Sequence, residues 1–150
     1  MDILRRVMTR SLWRSSVGIA ALLASGCAQQ MASNAPTGSN VTLSGAQEVP
    51  PVNTAATGSG TISVLMDRSV TGTVTTSGVA GTAAHIHMAA PGQNGPVIVP
   101  LNKTGENVWA VPDSIRFNDA QYEAYRLGNL YVNVHSAANP AGEIRGQVRP

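Results

Sequence analysis

The sequence is poor in the residues on which most catalytic and nucleic-acid functions depend. Its 150 residues include one cysteine, one phenylalanine and three histidines, and only 12% of them are charged. A single cysteine allows no disulfide within one chain. We find no nucleophile beside a credible base, no glycine-rich phosphate loop and no basic aromatic patch. These absences argue against covalent catalysis, nucleotide binding and nucleic-acid binding, and we expect a protein that is not an enzyme.

The N-terminal segment has the pattern of a bacterial export signal, which we assign to residues 1–27. Four arginines precede an apolar run over residues 17–24, which is shorter than the roughly 20 residues that cross a bilayer. Cys27 follows Leu-Ala-Ser-Gly, a segment that resembles the lipobox at which bacterial lipoproteins are acylated and cleaved. In such lipoproteins a residue other than aspartate after the cysteine, here Ala28, favours the outer membrane.

The signal and its cysteine predict a lipid-anchored protein of the cell envelope that faces the periplasm. The membrane is then a partner only through the lipid on Cys27. The alternative is ordinary signal-peptidase cleavage nearby, which leaves a soluble secreted protein. Cleavage before Cys27 leaves six basic and seven acidic residues, so the net charge changes from +2 for the whole chain to −1, with histidine neutral. The basic residues of the signal therefore give no support to nucleic-acid binding.

The rest of the chain divides into a flexible tether over residues 28–40 and one domain over residues 41–150. The tether is rich in small and polar residues and has no apolar period. The domain alternates apolar and polar residues in short stretches between turns, which is typical of antiparallel strands. We predict an all-β fold, a β-sandwich or an open barrel, with seven to nine short strands and one short helix. The strands that we assign cover residues 41–45, 61–66, 69–76, 82–88, 97–99, 108–111, 130–135 and 143–148. Ile62, Val64 and Met66 share one face of the second strand, and residues 54–60 and 103–107 are predicted as turns.

One helix and one hairpin can be assigned in detail. The helix is predicted over Asp119–Leu127, with Asn118 as its N-cap and Gln121 completing a capping box. Tyr122, Tyr125 and Leu127 are the side chains that we expect to pack on the sheet. In the C-terminal hairpin, pairing of Val134 with Ile144 places all the aliphatic side chains on one face. A register shifted by one residue would mix apolar and polar side chains on both faces, whereas a shift by two residues remains open.

The three histidines fall on two of the predicted strands. His85 and His87 alternate along one strand, so their side chains point to the same face, and His135 ends another strand. Converging imidazoles can bind a transition metal, and three histidines with an open fourth position are also the pattern of catalytic zinc. We predict a metal site for storage, transfer or sensing, with copper favoured over zinc on the affinity order of divalent ions.

Three further residues are candidates for a fourth ligand or for a group that orients a histidine ring. Met88 points to the opposite face of a regular strand from the histidines, so it could ligate only if the strand bulges or ends there. The hairpin register places Glu143 opposite His135. For Glu48 we favour bonds to backbone N–H groups or a pair with Arg145 over a ligand role.

Four motifs, taken together and in order, resemble the CHRD domain, which is named for its repeats in chordin and occurs singly in many exported bacterial proteins. The motifs are LSGAQEVPP at residues 43–51, AHIH at 84–87, PGQNGPV at 91–97, and LYVNVH at 130–135 followed by NPAGEIRGQ at 139–147. The resemblance covers about residues 41–149. Met88 and Ser136 stand where many members have glycine and threonine. The resemblance implies a β-rich domain but no defined biochemical role.

Two other hypotheses compete with metal binding. The first is a structural or protein-interaction module whose histidines form a hydrogen-bond network, with Glu143 bonded to His135. The use of such domains in chordin, an extracellular binding protein, favours it by analogy. The second and weaker hypothesis is a redox enzyme of the superoxide-dismutase type, because the His-x-His spacing is similar. Three histidines are too few for such a two-metal site. The identity of a protein partner stays open.

Overall fold

Nine strands form one antiparallel sheet in residues 38–150, the part of the chain that the computed structural model describes. The strands are β1 (Gly38–Ser44), β2 (Thr57–Val64), β3 (Val70–Ser77), β4 (Gly81–Met88), β5 (Val97–Pro100), β6 (Asn102–Gly105), β7 (Val108–Ala110), β8 (Leu130–Ser136) and β9 (Ile144–Val148). The helix α1 (Asp119–Arg126) lies between β7 and β8 in the chain. The predicted export signal with Cys27, and residues 28–37 of the predicted tether, lie outside the described residues. Within residues 38–150, no helix combines the length and hydropathy needed to cross a membrane.

The sheet nearly closes into a barrel because its two edge strands follow one another in the chain. The strand order is β5-β4-β8-β9-β1-β2-β3-β7-β6. Leu101, the single residue between β5 and β6, donates its backbone N–H to the carbonyl of Ala84 in β4 at 2.9 Å. Lys103 of β6 donates to the carbonyl of Gly81 in β4 at 3.0 Å. The prediction of an all-β fold with one short helix is confirmed in the form of this nearly closed barrel.

The interior of the barrel is filled by the apolar face of each strand. Leu43, Ile62, Val74, Ile86 and Val132 come from five different strands and have no exposed surface. Burying one such side chain stabilises the fold by about 1.5–3 kcal/mol. The alternation of β2 and β3, with aliphatic residues inward and serine and threonine outward, follows from the period of two that a strand imposes.

The outer face of β4, β8 and β9 is also buried, because loops cover it. Arg145, Asn133 and His87 point away from the barrel interior, yet only 1%, 3% and 8% of their surfaces are exposed. The covering loops span residues 45–56, 89–96 and 137–143. A sheet buried on both faces leaves its polar side chains no bulk water, so they must find partners within the protein.

The C-terminal hairpin has the predicted register. Val134 lies opposite Ile144, and Asn133 lies opposite Arg145. The expected pairing of His135 with Glu143 does not form, because β9 begins one residue after Glu143. The Glu143 carboxylate instead accepts a hydrogen bond from the Thr54 hydroxyl at 2.9 Å.

The helix also has the predicted capping. The Asn118 side chain accepts from the backbone N–H of Gln121 at 2.9 Å, and the Gln121 side chain accepts from the backbone N–H of Asn118 at 3.0 Å. Tyr125 packs into the core, as expected. Leu127, which we expected to pack on the sheet, is 65% exposed, because it caps the C-terminus of the helix.

Several strand boundaries differ from the prediction, and one strand was not predicted. The first strand begins at Gly38 rather than Val41, and the second begins at Thr57 rather than Thr61. The second ends at Val64, so Met66, which was predicted to share its buried face, lies in a turn and is 85% exposed. Residues 102–105, predicted largely as a turn, form the edge strand β6. Each difference arises where neighbouring strands, and not the local period, decide how far pairing extends.

Candidate metal centre

Two neighbouring strands of the barrel bring the three histidines together. In the pairing of β4 with β8, His85 lies opposite Asn133, His87 lies opposite Tyr131, and His135 lies opposite Ala83. Directly paired side chains on one face have Cβ atoms about 4.5–5.5 Å apart. The alternation that points both histidines of β4 outward therefore places them against His135, which comes 48 residues later in the chain than His87.

The ring nitrogens lie close enough to share one ion. One nitrogen from each histidine lies within 4.8 Å of the other two. The closest pair is His85 Nδ1 and His135 Nε2, which are 3.0 Å apart. Nitrogens bound to zinc at about 2.0–2.1 Å in a tetrahedral site stand about 3.3 Å from one another, so the spacing of His85 Nδ1 and His135 Nε2 is already close to that of a metal site.

Backbone carbonyls fix the protonation of two of the three rings. His87 Nδ1 bonds the carbonyl of Gly95 at 2.9 Å, and His135 Nδ1 bonds the carbonyl of Pro140 at 3.0 Å. A carbonyl only accepts, so both Nδ1 atoms carry the proton and both Nε2 atoms carry a lone pair. Metal-binding histidines are oriented in this way, with the second nitrogen bonded to an acceptor.

The surroundings also favour the neutral rings that bind metals. Burial lowers the pKa of His85, and the neighbouring rings of His135 and His87 lower it further. Burial is the largest influence on His87 and lowers its pKa, whereas the hydrogen bond to Gly95 and the neighbouring Asn133 amide raise it, and the net result is a lowered pKa. A neutral imidazole has a lone pair to offer, whereas an imidazolium has none.

An aromatic and cationic stack closes one side of the cluster. The rings of His87 and Tyr131 are parallel within 6° with centroids 4.7 Å apart, and the Arg145 guanidinium carbon lies 3.4 Å from the centroid of the Tyr131 ring. Arg145 donates to the Gln93 carbonyl at 2.9 Å and the Asn94 side chain at 3.3 Å. The expected ion pair of Arg145 with Glu143 does not form within the described residues. The local sequence gave no signal for the stack, since its members come from three strands.

Met88 and Glu143, two of the three candidate additional ligands, lie apart from the histidines. Met88 packs against the hydrophobic core, so its thioether faces the side of the sheet opposite His87. Glu143 interacts with Thr54, Ser136 and Asn139, and these hydrogen bonds lower the pKa of its carboxyl, with the Ser136 contribution the largest.

Glu48, the third candidate, is buried next to Asn133. Its surface is 6% exposed. Burial raises the pKa of Glu48, while the charge of Arg145, the N–H of Val49 and the Asn133 amide lower it in part. Glu48 is thus influenced by the charge of Arg145, although the two side chains are too far apart for an ion pair, and it lies against the Asn133 amide.

Asn133 is a site residue that we did not predict from the sequence. It alternates with His135 on the same face of one strand, and that pattern is the signal that could have identified it.

Comparison with known proteins gives one match. The family model described as the CHRD domain matches residues 39–148, which contain all nine strands except the first residue of β1, and all three histidines. Neither a curated protein nor a solved structure matches the chain.

Proposed function

The chain belongs to the CHRD domain family, and on that premise we propose that its domain binds one transition-metal ion through His85, His87 and His135. The observation that carries this proposal is the convergence of three imidazoles whose ligand nitrogens lie within 4.8 Å of one another. Backbone carbonyls hold the Nδ1 atoms of His87 and His135, so the Nε2 lone pairs of both rings are available to the ion.

Copper is the preferred ion of this proposal, with zinc as the alternative. Imidazole nitrogen suits both ions, and for a given set of nitrogen ligands the affinity for Cu²⁺ exceeds that for Zn²⁺. Among residues 38–150, the cluster holds neither a nucleophile nor a second group of metal ligands. We therefore assign the ion to storage, transfer or sensing rather than to turnover.

We propose that the domain lies on the periplasmic side of the cell envelope and is held there by lipid on Cys27. Support comes from the export pattern of residues 1–27. Cys27→Ala should move the protein from the membrane fraction to the soluble periplasmic fraction in a bacterial host. Ser25→Ala, which keeps the cysteine, is the control. Recovery of the Cys27→Ala protein in the membrane fraction at the wild-type level would contradict a lipid anchor.

A structural or protein-interaction module is the second candidate, and one contact favours it. His85 Nδ1 and His135 Nε2 are 3.0 Å apart, which is the length of a direct hydrogen bond. With the carbonyl bonds of His87 and His135, this contact accounts for most of the ring nitrogens without a metal. The exceptions are His85 Nε2 and His87 Nε2, of which His87 Nε2 is buried and finds no hydrogen-bond partner among the described residues.

Calorimetric titration of the purified protein with Cu(II) and with Zn(II) distinguishes the two candidates. We expect one ion per chain and tighter binding of Cu(II). Loss of a residue that hydrogen-bonds a metal ligand lowers metal affinity by roughly 10- to 100-fold. His87→Ala removes a ligand itself, so it should lower the affinity for the ion by more than that. His135→Ala should act similarly, because both variants remove a ligand of the same ion.

The matched control is Asn102→Ala, a polar truncation at an exposed position on β6, which should bind as the wild type does. Folded wild-type protein that takes up neither ion would exclude the metal site. If His87→Ala and His135→Ala then merely lower the unfolding temperature, the histidines belong to a structural network.

A further inference from the structure

Three buried polar atoms without partners lie on the same outer patch of the sheet. They are His87 Nε2, Asn133 Oδ1 and Glu48 Oε1, and none has a hydrogen bond within residues 38–150. Their residues are 92%, 97% and 94% buried, respectively. Leaving a polar atom unpaired in such a place costs about 1–3 kcal/mol, so three together point to a group that binds among them.

Asn133 occupies the centre of the histidine cluster. It lies directly opposite His85 on β4, and it precedes His135 by two positions on the same face of β8. Its side-chain amide also lies close enough to His87 to affect the pKa of that ring, although no hydrogen bond joins the two side chains within residues 38–150. Asn133 is thus adjacent to each of the three imidazoles, and its amide oxygen is one of the three unpaired atoms of the patch.

Glu48 and Gly142 determine which end of the Asn133 amide faces the histidines. A Cβ atom on Gly142 would lie 2.8 Å from Asn133 Nδ2 and would also collide with Glu48 Oε1, so the amide nitrogen and the carboxylate meet at this glycine. A carboxylate accepts hydrogen bonds and attracts the NH₂ end of an amide. The Oδ1 end is therefore left for the histidine side.

We propose that Asn133 Oδ1 is the fourth ligand atom of the metal site and that Glu48 positions it by attracting the amide nitrogen. This inference rests on the proposed three-histidine function and completes its ligand set as three nitrogens and one oxygen. An amide oxygen is a hard ligand, and the soft thioether of Met88 packs against the core. The site accordingly takes divalent Cu(II) or Zn(II) in preference to Cu(I).

Substitutions of Asn133, with Co(II) bound in the metal site as a spectroscopic probe, test whether Asn133 is a ligand. The visible spectrum of bound Co(II) reports the number and type of ligand atoms without any activity assay. Asn133→Leu should change the visible bands of Co(II) and lower the Zn(II) affinity by about 10-fold or more. Asn133→Asp, which offers a charged oxygen, should keep the four-ligand spectrum. Asn102→Leu on the exposed strand β6 is the control and should match the wild type.

The positioning role of Glu48 predicts an effect that depends on the residue at position 133. Glu48→Gln should weaken Zn(II) binding about 10-fold when residue 133 is asparagine, because a neutral amide no longer selects one end of the Asn133 side chain. When Asn133→Asp is present, the same Glu48→Gln change should alter the affinity much less, because the two oxygens of an aspartate are equivalent and no end has to be selected. A residue that acts only through its charge or through the fold would weaken binding equally in both backgrounds.

The outcomes separate this inference from the proposed function. If wild-type protein binds one ion but Asn133→Leu leaves both the Co(II) spectrum and the Zn(II) affinity unchanged, Asn133 is not a ligand although the three-histidine site stands. If Glu48→Gln weakens binding equally in both backgrounds, the positioning role is wrong. If the folded wild type binds no ion, the proposed function and this inference fail together. Should Asn133→Leu not fold, the Asn133→Asp spectrum and the dependence of the Glu48→Gln effect on residue 133 still decide.

Discussion

At the scale of single residues, the outer patch depends on where each polar atom finds its partner. The Nδ1 atoms of His87 and His135 are bonded to backbone carbonyls, so their lone pairs can face only inward toward the cluster. The amide of Asn133 contacts an acceptor on one side and leaves its oxygen on the other. A few hydrogen bonds, most of them to loop backbone, thus set the chemistry that the site can perform.

Gly142 is the residue on which this arrangement depends most directly. Its φ of 137° is unfavourable for other residues, and a Cβ there would strike Glu48 and Asn133. We expect Gly142→Ala to lower the free energy of unfolding by about 2–4 kcal/mol, from backbone strain and crowding together. Urea unfolding monitored by tryptophan fluorescence measures the free energy of unfolding of the variant and of the wild type.

Gly92→Ala is the matched control for this change. Gly92 also has a positive φ, of 76°, but nothing lies within 4 Å of a Cβ built on it. Its cost should be the backbone strain alone, about 1–2 kcal/mol. Equal costs for the two variants would show that Glu48 and Asn133 do not press against Gly142.

At the scale of elements, strand pairing creates the site and loops complete it. The pairing of β4 with β8 assembles the side chains, and the loop over residues 89–96 contributes Gly95 to His87 and Gln93 to Arg145. Gln147 of β9 extends the same contact layer by donating to the carbonyls of Ala89 and Gly128. The loop is therefore bonded to two strands and acts as part of the site.

The helix α1 gives a separate test of local sequence rules. Asn118→Ala removes the side-chain oxygen that accepts from the backbone N–H of Gln121, which is one half of the capping box, and should cost about 1 kcal/mol in the free energy of unfolding. Chemical denaturation measures the cost, and Asn118→Ser, which keeps a capping oxygen, should restore most of it. A loss as large in the serine variant as in the alanine variant would mean that the cap is not the cause.

At the scale of the whole molecule, distant segments meet in a few polar contacts. The Glu143 carboxylate joins Thr54, before β2, to Ser136, the last residue of β8, and to Asn139, in the loop that follows. The contact with Thr54 spans 89 positions of the chain. Such a contact forms only in the folded state, so a substitution that removes it should lower the free energy of global unfolding.

Acid unfolding should report this contact. Hydrogen bonds lower the pKa of Glu143 in the folded protein, so the folded state binds its proton less readily than the unfolded chain does. The contribution of Glu143 is therefore complete above the unfolded value of about 4.3 and is lost as the pH falls through the lower folded value. In Glu143→Gln, the free energy of unfolding should decrease less steeply below about pH 4.3 than in the wild type.

The control for the acid experiment is Glu106→Gln, in the exposed turn between β6 and β7. Its stability should follow the wild-type dependence on pH. If Glu143→Gln also follows the wild-type curve between pH 5 and pH 2, the depressed pKa of Glu143 makes no measurable contribution to folding.

Local patterns in the sequence determined the elements of this protein. The period of two predicted the strands and the shared face of His85 and His87, and the spacing of Asn118 and Gln121 predicted the helix cap. The aliphatic pattern also selected the pairing of Val134 with Ile144. These predictions succeeded because each depends on residues a few positions apart, or on one hairpin whose wrong parity would bury polar groups.

Only the tertiary structure decided which distant segments meet. It placed β4 beside β8, joined the barrel edges through Leu101 and brought the loop 89–96 over the outer face. It also separated Glu143 from His135 and moved Asn133 to the centre of the cluster. The physical reason is that these contacts depend on closing long stretches of chain and on packing loops over a surface, and the free energy of both is set by the complete fold, which no short-range pattern records.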